Sequence, residues 1–418
     1  MAQSTFKTHV GMNDILPDEV GKWQALEQII HEEAKKFNFE EIRTPIMEQT
    51  ELITRGVGQL TDIVTKEMFA FERGDDQYVL RPECTAPVAR SFVQHHLDQR
   101  GGSQNLYYIG PMFRAEKPQK GRKRQFHQFG AEVIGADNPA ADVDIIALMK
   151  AIYDRVGINN TTLKINSVGD PESRKAYTEA LKDHFRPNLS KMSEVSRERF
   201  EKNPLRILDS KEDEDQPFIQ NAPVITDFLT DETARHYSRV KELLSSLDIP
   251  YQEDPYLVRG LDYYTRTAFE LVSPDLGAQD ALGGGGRYDL LIEEVGGQPT
   301  PAVGFAAGIE RLFIACKELD INLTEEDKLD VYIVTLGNDA RSWALKHLPK
   351  LRNAGLSASM DYIGRSIKSQ MKDADRENAR HVIIVGSNEL EEGKFVLRDM
   401  KESNEKAYPF DEIIKRLS

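Results

Sequence analysis

YYIGPMFRAEKPQKGRKRQFHQFGAEVIG, residues 107–135, decides how this chain is read. Two runs of aromatic and apolar residues flank a basic centre in which Pro118 and Gly121 interrupt any regular element. Runs of this composition bounded by such breakers read as strands, so the segment predicts two strands with a basic loop between them. Arg114, Lys117, Lys120, Arg122, Lys123 and Arg124 face one acid, Glu116. Taken alone, a charge run like this is as often a solvated surface. Projecting from a sheet, it also puts cations where they reach phosphates and lets a strand-borne arginine be held rigidly.

Working outward, Trp23, Leu26, Ile29 or Ile30, Ala34 and Phe37 recur at helical spacing, which predicts a long amphipathic helix over 20–37. FEEIRTPIME (39–48) reads as a strand entered from it, with Pro45 at an edge or interface because it donates no ladder hydrogen bond. Further strand-like stretches at 77–80, 105–109 and 125–133 are joined by short turns, an antiparallel pattern. From 170 to 254 the sequence becomes charged and mostly helical, with the acidic run KEDEDQ at 211–216, and reads as an insertion. Strand character resumes at Tyr256 and continues through a glycine cluster at Gly283–Gly286, and a helix is expected from near Gly304. After INLTEEDK (321–328), alternating strands and helices suggest a separate α/β domain. The expected organisation is an α+β catalytic domain, with an antiparallel sheet flanked by helices, over 1–169 and 255–322. A helical insertion covers 170–254, and an α/β domain covers 329–418.

At 418 residues the chain exceeds what one core sustains. Its 39% apolar and 29% charged residues suit a water-soluble globular protein. No apolar stretch approaches a membrane span, and the N-terminus lacks the apolar segment of a signal peptide. Cys84 and Cys316 lack CxxC spacing, which argues against a zinc knuckle or disulfide framework and for a reducing cytoplasm. The net charge of −15 repels phosphates on average, so any polyanion must meet local positive patches. Residues 329–418 carry +1 and residues 1–328 carry −16, which sets the C-terminal segment apart.

Four other stretches offer chemistry. In LVRGLDYY (257–264), Arg259 stands among apolar and aromatic neighbours, where an unpaired guanidinium is costly. It is either a structural ion pair, for instance with Asp262, or aimed at a carboxylate or phosphate. The glycines of ALGGGGRYD (281–289) allow close backbone approach or form a hairpin turn, and they match no P-loop. PAVGFAAGIERL (301–312) reads as small residues entering a helix that carries Glu310 and Arg311. In LRPECTAPVAR (80–90), Glu83 and Thr85 either cap a helix or hold an ammonium group.

Together these segments resemble the class II aminoacyl-tRNA synthetases, and specifically the histidyl-tRNA synthetase family, over essentially the whole chain. The helix and strand ending at Pro45 are similar to the motif 1 dimer element, FRAE with RQFHQ to motif 2, and GFAAGIERL to motif 3. LVRGLDYY and GGGGRYD resemble the two signatures peculiar to the histidine enzymes. The resemblance implies a six- or seven-stranded antiparallel sheet, a homodimer, and a C-terminal domain that binds the anticodon. Its implied partners are ATP with Mg2+, L-histidine and tRNA(His), with no metal ligands assigned on the chain.

By the same resemblance, Arg114 and Arg259 are catalytic, bracketing the α-phosphate. Glu116 lies near the adenine amino group, and Phe126 and Arg311 hold the adenine. Glu83, Thr85 and Gln128 bind the α-amino group of histidine, while Glu132, Tyr263 and Tyr264 read the imidazole. Lys117, Gln119, Lys120, Arg122, Lys123 and Arg124 contact the tRNA acceptor end. Cys84 departs from the family pattern, which has glycine there, and its thiol is open to modification if exposed. Two rival readings are an inactive regulatory paralogue of ATP phosphoribosyltransferase and a plain RNA-binding protein. The first generally lacks the anticodon domain and degrades the arginine signatures. The second leaves Glu83, Glu132 and the tyrosine pair unexplained.

Overall fold

The computed structural model describes residues 6–58, 61, 63–118, 121–276, 280–324 and 328–418. Gln119 and Lys120 of the expected tRNA loop lie outside the described residues. The chain divides into two compact units, Met1–Leu323 and Thr324–Ser418.

The first unit is built on an eight-stranded sheet. From edge to edge its strands are Glu40–Glu41, Gln104–Phe113, Gln125–Ile134, Ala302–Gly308, Ala281–Arg287, Thr265–Val272, Thr162–Ser167 and Tyr251–Glu253. The six inner strands pair antiparallel, whereas both edge strands run parallel to their neighbours, so the sheet is mixed and larger than the resemblance implied. Helices Pro17–Lys36, Pro139–Val156, Asp231–Ser246 and Ile309–Glu318 contribute to the core on one face, with Phe129, Val133, Phe269, Phe305 and Ile165 of the strands. Each such fully buried side chain contributes about 1.5–3 kcal/mol, which anchors the sheet from behind.

Several expectations change. FEEIRTPIME is not one strand: Glu40–Glu41 joins the large sheet, while Met47–Gln49 joins a three-stranded sheet with Phe69–Arg73 and Asp76–Leu80. Pro45, without an N–H, sits at the break. The helix expected from near Gly304 begins at Ile309, and Ala302–Gly308 is a strand. Strand character does continue through Gly283–Gly286, which lies inside a central strand, and the alternative of a hairpin turn falls away. The 170–254 segment is also less separate than its composition suggests. Its Asp231–Ser246 helix buries Tyr237, Val240 and Leu244 in the main core, and Tyr251–Glu253 is an edge strand of the main sheet. What keeps a core of its own is the part before Asp231, around Tyr177, Leu181, Phe185, Phe200 and Ile207.

The second unit has a five-stranded sheet in the order Ala358–Met360, Val331–Thr335, His381–Val385, Phe395–Asp399, Glu405–Tyr408. The first three strands are parallel and the last two antiparallel. Helix Gly337–Asn353 covers it, with Trp343 stacked on Phe395 at 4.1 Å. The strand Glu405–Tyr408 and the short helix Ser387–Glu392 were not foreseen.

Candidate active site

Opposite residues of an antiparallel pair share a sheet face, and residues two apart along a strand do too. Phe126, Gln128, Gly130 and Glu132 therefore line one face of their strand, the face away from the helical core. Glu132 lies opposite Gly304, which lies opposite Gly286. One row along, Gly130 faces Ala306, then Gly284, then Glu270. Glycine and alanine thus clear a trough across the middle strands. The cleared space is used: a β-carbon at Gly286 would stand 2.9 Å from the Tyr264 ring, and one at Gly284 2.8 Å from the Arg259 guanidinium. At Gly304 it would collide with the Glu132 carboxylate. These glycines are required for room, not for backbone angle.

Glu132 is fully buried. Thr85 Oγ1 donates to its Oε1 at 2.8 Å and Tyr288 Oη donates to its Oε2 at 2.6 Å. Burial pushes its carboxyl up to about 8, against the pull of those two hydrogen bonds. Tyr263 and Tyr264 stand beside it, ring centroids 4.7 Å apart, and Tyr263 meets Tyr288 edge-on at 5.7 Å. Among the described residues, two buried polar atoms of this face, Tyr108 Oη and Gln128 Oε1, have no hydrogen-bond partner. Orphans of this kind are rare in a closed interior and are expected where a polar ligand docks.

Glu83 accepts from the backbone N–H of Thr85 at 2.7 Å and of Ala86 at 2.9 Å, and so caps the Thr85–Gln94 helix. Burial raises its pKa against those two bonds. The thiol of Cys84 turns away from this group, 3.5 Å from Thr44 Oγ1 and 3.7 Å from Arg81 Nη1. It is buried and pushed up to about 12, so the exposure on which modification of this thiol depended is not met.

Arg114 packs its guanidinium on the Phe126 ring at 5.1 Å and donates from Nε to the Pro82 carbonyl at 3.0 Å. Burial lowers its pKa. Arg259 pairs through Nη1 with Glu270 Oε1 at 2.7 Å, not with Asp262, which instead faces Arg206 at 3.8 Å. The partner lies on the sheet because the loop folds back across the trough. Arg311 donates from Nε to the Ala281 carbonyl at 2.8 Å, and Gly121 of the basic hairpin approaches its side chain.

Within that hairpin Arg122 is exposed and pairs with Glu116 at 3.3 Å, Lys117 is exposed, and Lys123 is half-buried. Arg124 braces the base, donating to the Glu116 carbonyl at 3.4 Å. Sequence reasoning passed over Tyr288, Tyr108 and Glu270. Tyr288 carried a signal, as an aromatic ending the GGGGRYD run; the other two acquire meaning only from their neighbours across the sheet.

Comparison with known proteins decides what this trough belongs to. A family model described as histidyl-tRNA synthetase matches residues 11–312, and one described as an anticodon binding domain matches 330–418. The chain belongs to the histidyl-tRNA synthetase family. A histidine–tRNA ligase from Natranaerobius thermophilus is 47% identical over 413 residues, covering 98% of each chain. The apo histidyl-tRNA synthetase of S. aureus superposes with a TM-score of 0.84 at 40% identity, over 99% of this chain and 100% of that one. A Bacillus halodurans structure titled ATP phosphoribosyltransferase regulatory subunit/histidyl-tRNA synthetase aligns at 24% identity and TM-score 0.67, over 92% of this chain and 100% of that one, which is a likeness of fold alone. This histidyl-tRNA synthetase chain is therefore an aminoacyl-tRNA synthetase of class II architecture, with an anticodon-binding α/β unit. Among the described residues no helix is long and apolar enough to cross a membrane.

Proposed function

We propose that the trough activates L-histidine with ATP and then transfers it to tRNA(His), with the residues acting as follows. One observation carries the reading: Tyr264 stands over Gly286, beside Glu132 over Gly304, while Arg259 stands over Gly284 on the same strand. Two residues along a strand span about 7 Å, the scale of an amino acid from side-chain end to carboxylate. Glu132, with Tyr263 and Tyr264, reads the imidazole. Glu83, Thr85 and Gln128 receive the α-amino group, and the unpartnered Gln128 Oε1 suits an ammonium donor. A competitor lacking ring nitrogens leaves these buried groups unpaired, which explains rejection without editing.

In the first step a histidine carboxylate oxygen bonds to the α-phosphorus of ATP and the bond to pyrophosphate breaks. The nucleophile is already ionised, so rate comes from positioning and charge stabilisation by Arg114 and Arg259. Adenine lies between Phe126 and Arg311, near Glu116. Magnesium arrives bound to ATP as part of the nucleotide substrate and neutralises the β- and γ-phosphates. In the second step the terminal 3′-hydroxyl of the RNA bonds to the histidyl carbonyl carbon, AMP leaves, and the hydroxyl proton passes to a phosphate oxygen of the adenylate. The working form is a cytoplasmic homodimer. Ile46 and Met47, exposed beside Pro45, support an apolar contact there, and two buried free cysteines suit a reducing compartment.

Histidine-dependent ATP–pyrophosphate exchange tests the whole reading. Exchange that needs histidine supports it; RNA binding without exchange would instead identify a binding protein, and neither activity would fit the regulatory paralogue.

Two narrower results are expected. With its carboxyl near 8 in the empty site, Glu132 accepts an imidazole N–H most strongly once it is ionised, so the histidine KM should fall as pH rises toward 8. Glu132→Gln should raise that KM at least about tenfold, as loss of a buried charged hydrogen bond does, and abolish the pH limb while the ATP KM stays. A changed ATP KM with normal histidine binding would remove Glu132 from the imidazole. Neutralising Lys120, Arg122 and Lys123 together should weaken aminoacylation and flatten its salt dependence while sparing pyrophosphate exchange. Equal loss in both assays would mean the loop serves ATP rather than RNA.

A further inference from the structure

The loop that carries Arg259 has no regular structure between Asp254 and Tyr264, so its carbonyls are not used by sheet or helix. Asn166 of the main sheet takes up those of Pro255 and Leu257, and two arginines of the inserted segment take up three more. Arg206 donates through Nη2 to the Gly260 carbonyl at 2.7 Å, and Arg174 donates through Nη1 to the carbonyls of Asp262 at 3.2 Å and Tyr264 at 3.1 Å. Asn203 Nδ2 adds a bond to Asp262 Oδ1 at 3.3 Å, with Arg206 3.8 Å from the same oxygen. The start of the loop is embedded in the insertion's core: Tyr256 and Val258 pack there, and Tyr256 Oη donates to the carbonyls of Gln220 and Ala222. A cavity of about 30 Å³, room for roughly one water, is lined by Arg174, Asn203, Arg206, Arg259, Asp262 and Tyr264. Arg259 Nε is buried there without a protein partner among the described residues.

Arg259 itself makes one ion pair, with Glu270 at its guanidinium end. On the C-terminal side of Arg259 the insertion holds the carbonyls of Gly260, Asp262 and Tyr264, while Asn166 holds that of Leu257 and the Asp262 N–H donates to the Val57 carbonyl. We infer that Arg206 and Arg174 form a clasp through which the inserted segment positions Arg259, so that the insertion is a working part of the histidine-activating site. The inference rests on the reading of Arg259 as the α-phosphate arginine. Arg206 and Arg174 are positioning residues: they act by holding three carbonyls of the loop on which the reacting arginine stands. A guanidinium that must meet a pentavalent phosphorus tolerates little displacement, since a misplacement of about 1 Å can cost on the order of 10²-fold in rate.

A double-mutant cycle on the full-length protein tests this, using single-turnover adenylate formation with histidine and ATP saturating. Arg206→Met should lower the rate at least about tenfold while both KM values change little, because ground-state contacts survive and transition-state alignment does not. Arg206→Lys, whose ammonium still donates to the Gly260 carbonyl, should recover part of the loss. In an Arg259→Ala background, Arg206→Met should cost nothing further, since no arginine is left to position. An equal fold-loss in both backgrounds, or no loss in the wild-type background, overturns the clasp while leaving the catalytic reading of Arg259 intact. Wild-type rates in Arg259→Ala alone overturn that reading and the clasp with it. Should Arg206→Met melt below the assay temperature, Arg174→Met, which removes the donor to the Asp262 and Tyr264 carbonyls, runs the same cycle with the same two deciding outcomes.

Discussion

Arg259→Ala is expected to slow single-turnover adenylate formation by at least about 10²- to 10³-fold, the range seen when a preorganised donor is removed from developing charge. The guanidinium stands over Gly284 with one end tied to Glu270, so it is aimed before substrate arrives and pays no reorganisation as charge shifts onto the α-phosphate. Although burial alone lowers its pKa, the surroundings of Tyr264 and Glu270 raise it, which keeps the charge in place across the working pH range. Binding should suffer less than rate, because the contact strengthens chiefly in the transition state. Arg259→Lys should restore only part, since a compact ammonium cannot span Glu270 and phosphate oxygens together. Wild-type rates in the alanine variant would make Arg259 a structural partner of Glu270 and nothing more.

The second large effect is on stability. Arg287 and Asp142 are both fully buried, and the guanidinium donates to Asp142 at 2.6 Å, to the Ala136 carbonyl at 2.6 Å and to Asp289 at 3.1 Å. His236 closes the cluster at 3.3 Å from Asp142. Removing Asp142 takes away the fully buried counter-charge and leaves the interior guanidinium only the partly exposed Asp289, so Asp142→Ala should destabilise the first unit by about 3–5 kcal/mol, the usual cost of breaking a buried pair. A fall in melting midpoint on the order of 10 °C is the readout. Burial by itself raises the Asp142 pKa, but His236 and Arg287 outweigh it and hold the pKa below the ordinary aspartate value. Its contribution is therefore present above the unfolded-state pKa and is lost as pH falls through the lowered folded value. The alanine variant should lack that acid limb. A melting point within about 2 °C of wild type would show that the pair contributes little beyond its own desolvation.

By itself the sequence determined the two strands and basic loop around residues 107–135 and the independence of the C-terminal α/β unit. It also marked Arg259, because a guanidinium among apolar and aromatic neighbours is costly to leave unpaired, whereas Arg114 and Arg311 were marked by the resemblance of their segments to motifs 2 and 3. These are local properties: side-chain period, breaker residues and burial cost are all written within a few positions.

The tertiary structure decided the rest, because it depends on what lies across the sheet. Glycine is a poor strand former, so a hairpin turn stayed open beside strand character at Gly283–Gly286, and Gly304 read as a helix start. Both are central strands, since their missing side chains make room for Arg259, Tyr264 and the Glu132 carboxylate. The same non-locality hid Tyr288 as a donor to Glu132 and Glu270 as the partner of Arg259 in place of Asp262. It also moved the 231–253 segment from the insertion to the main core. Local propensity states what a segment tolerates, and only the packed neighbours supply the space, the partner and the burial that select one use of it.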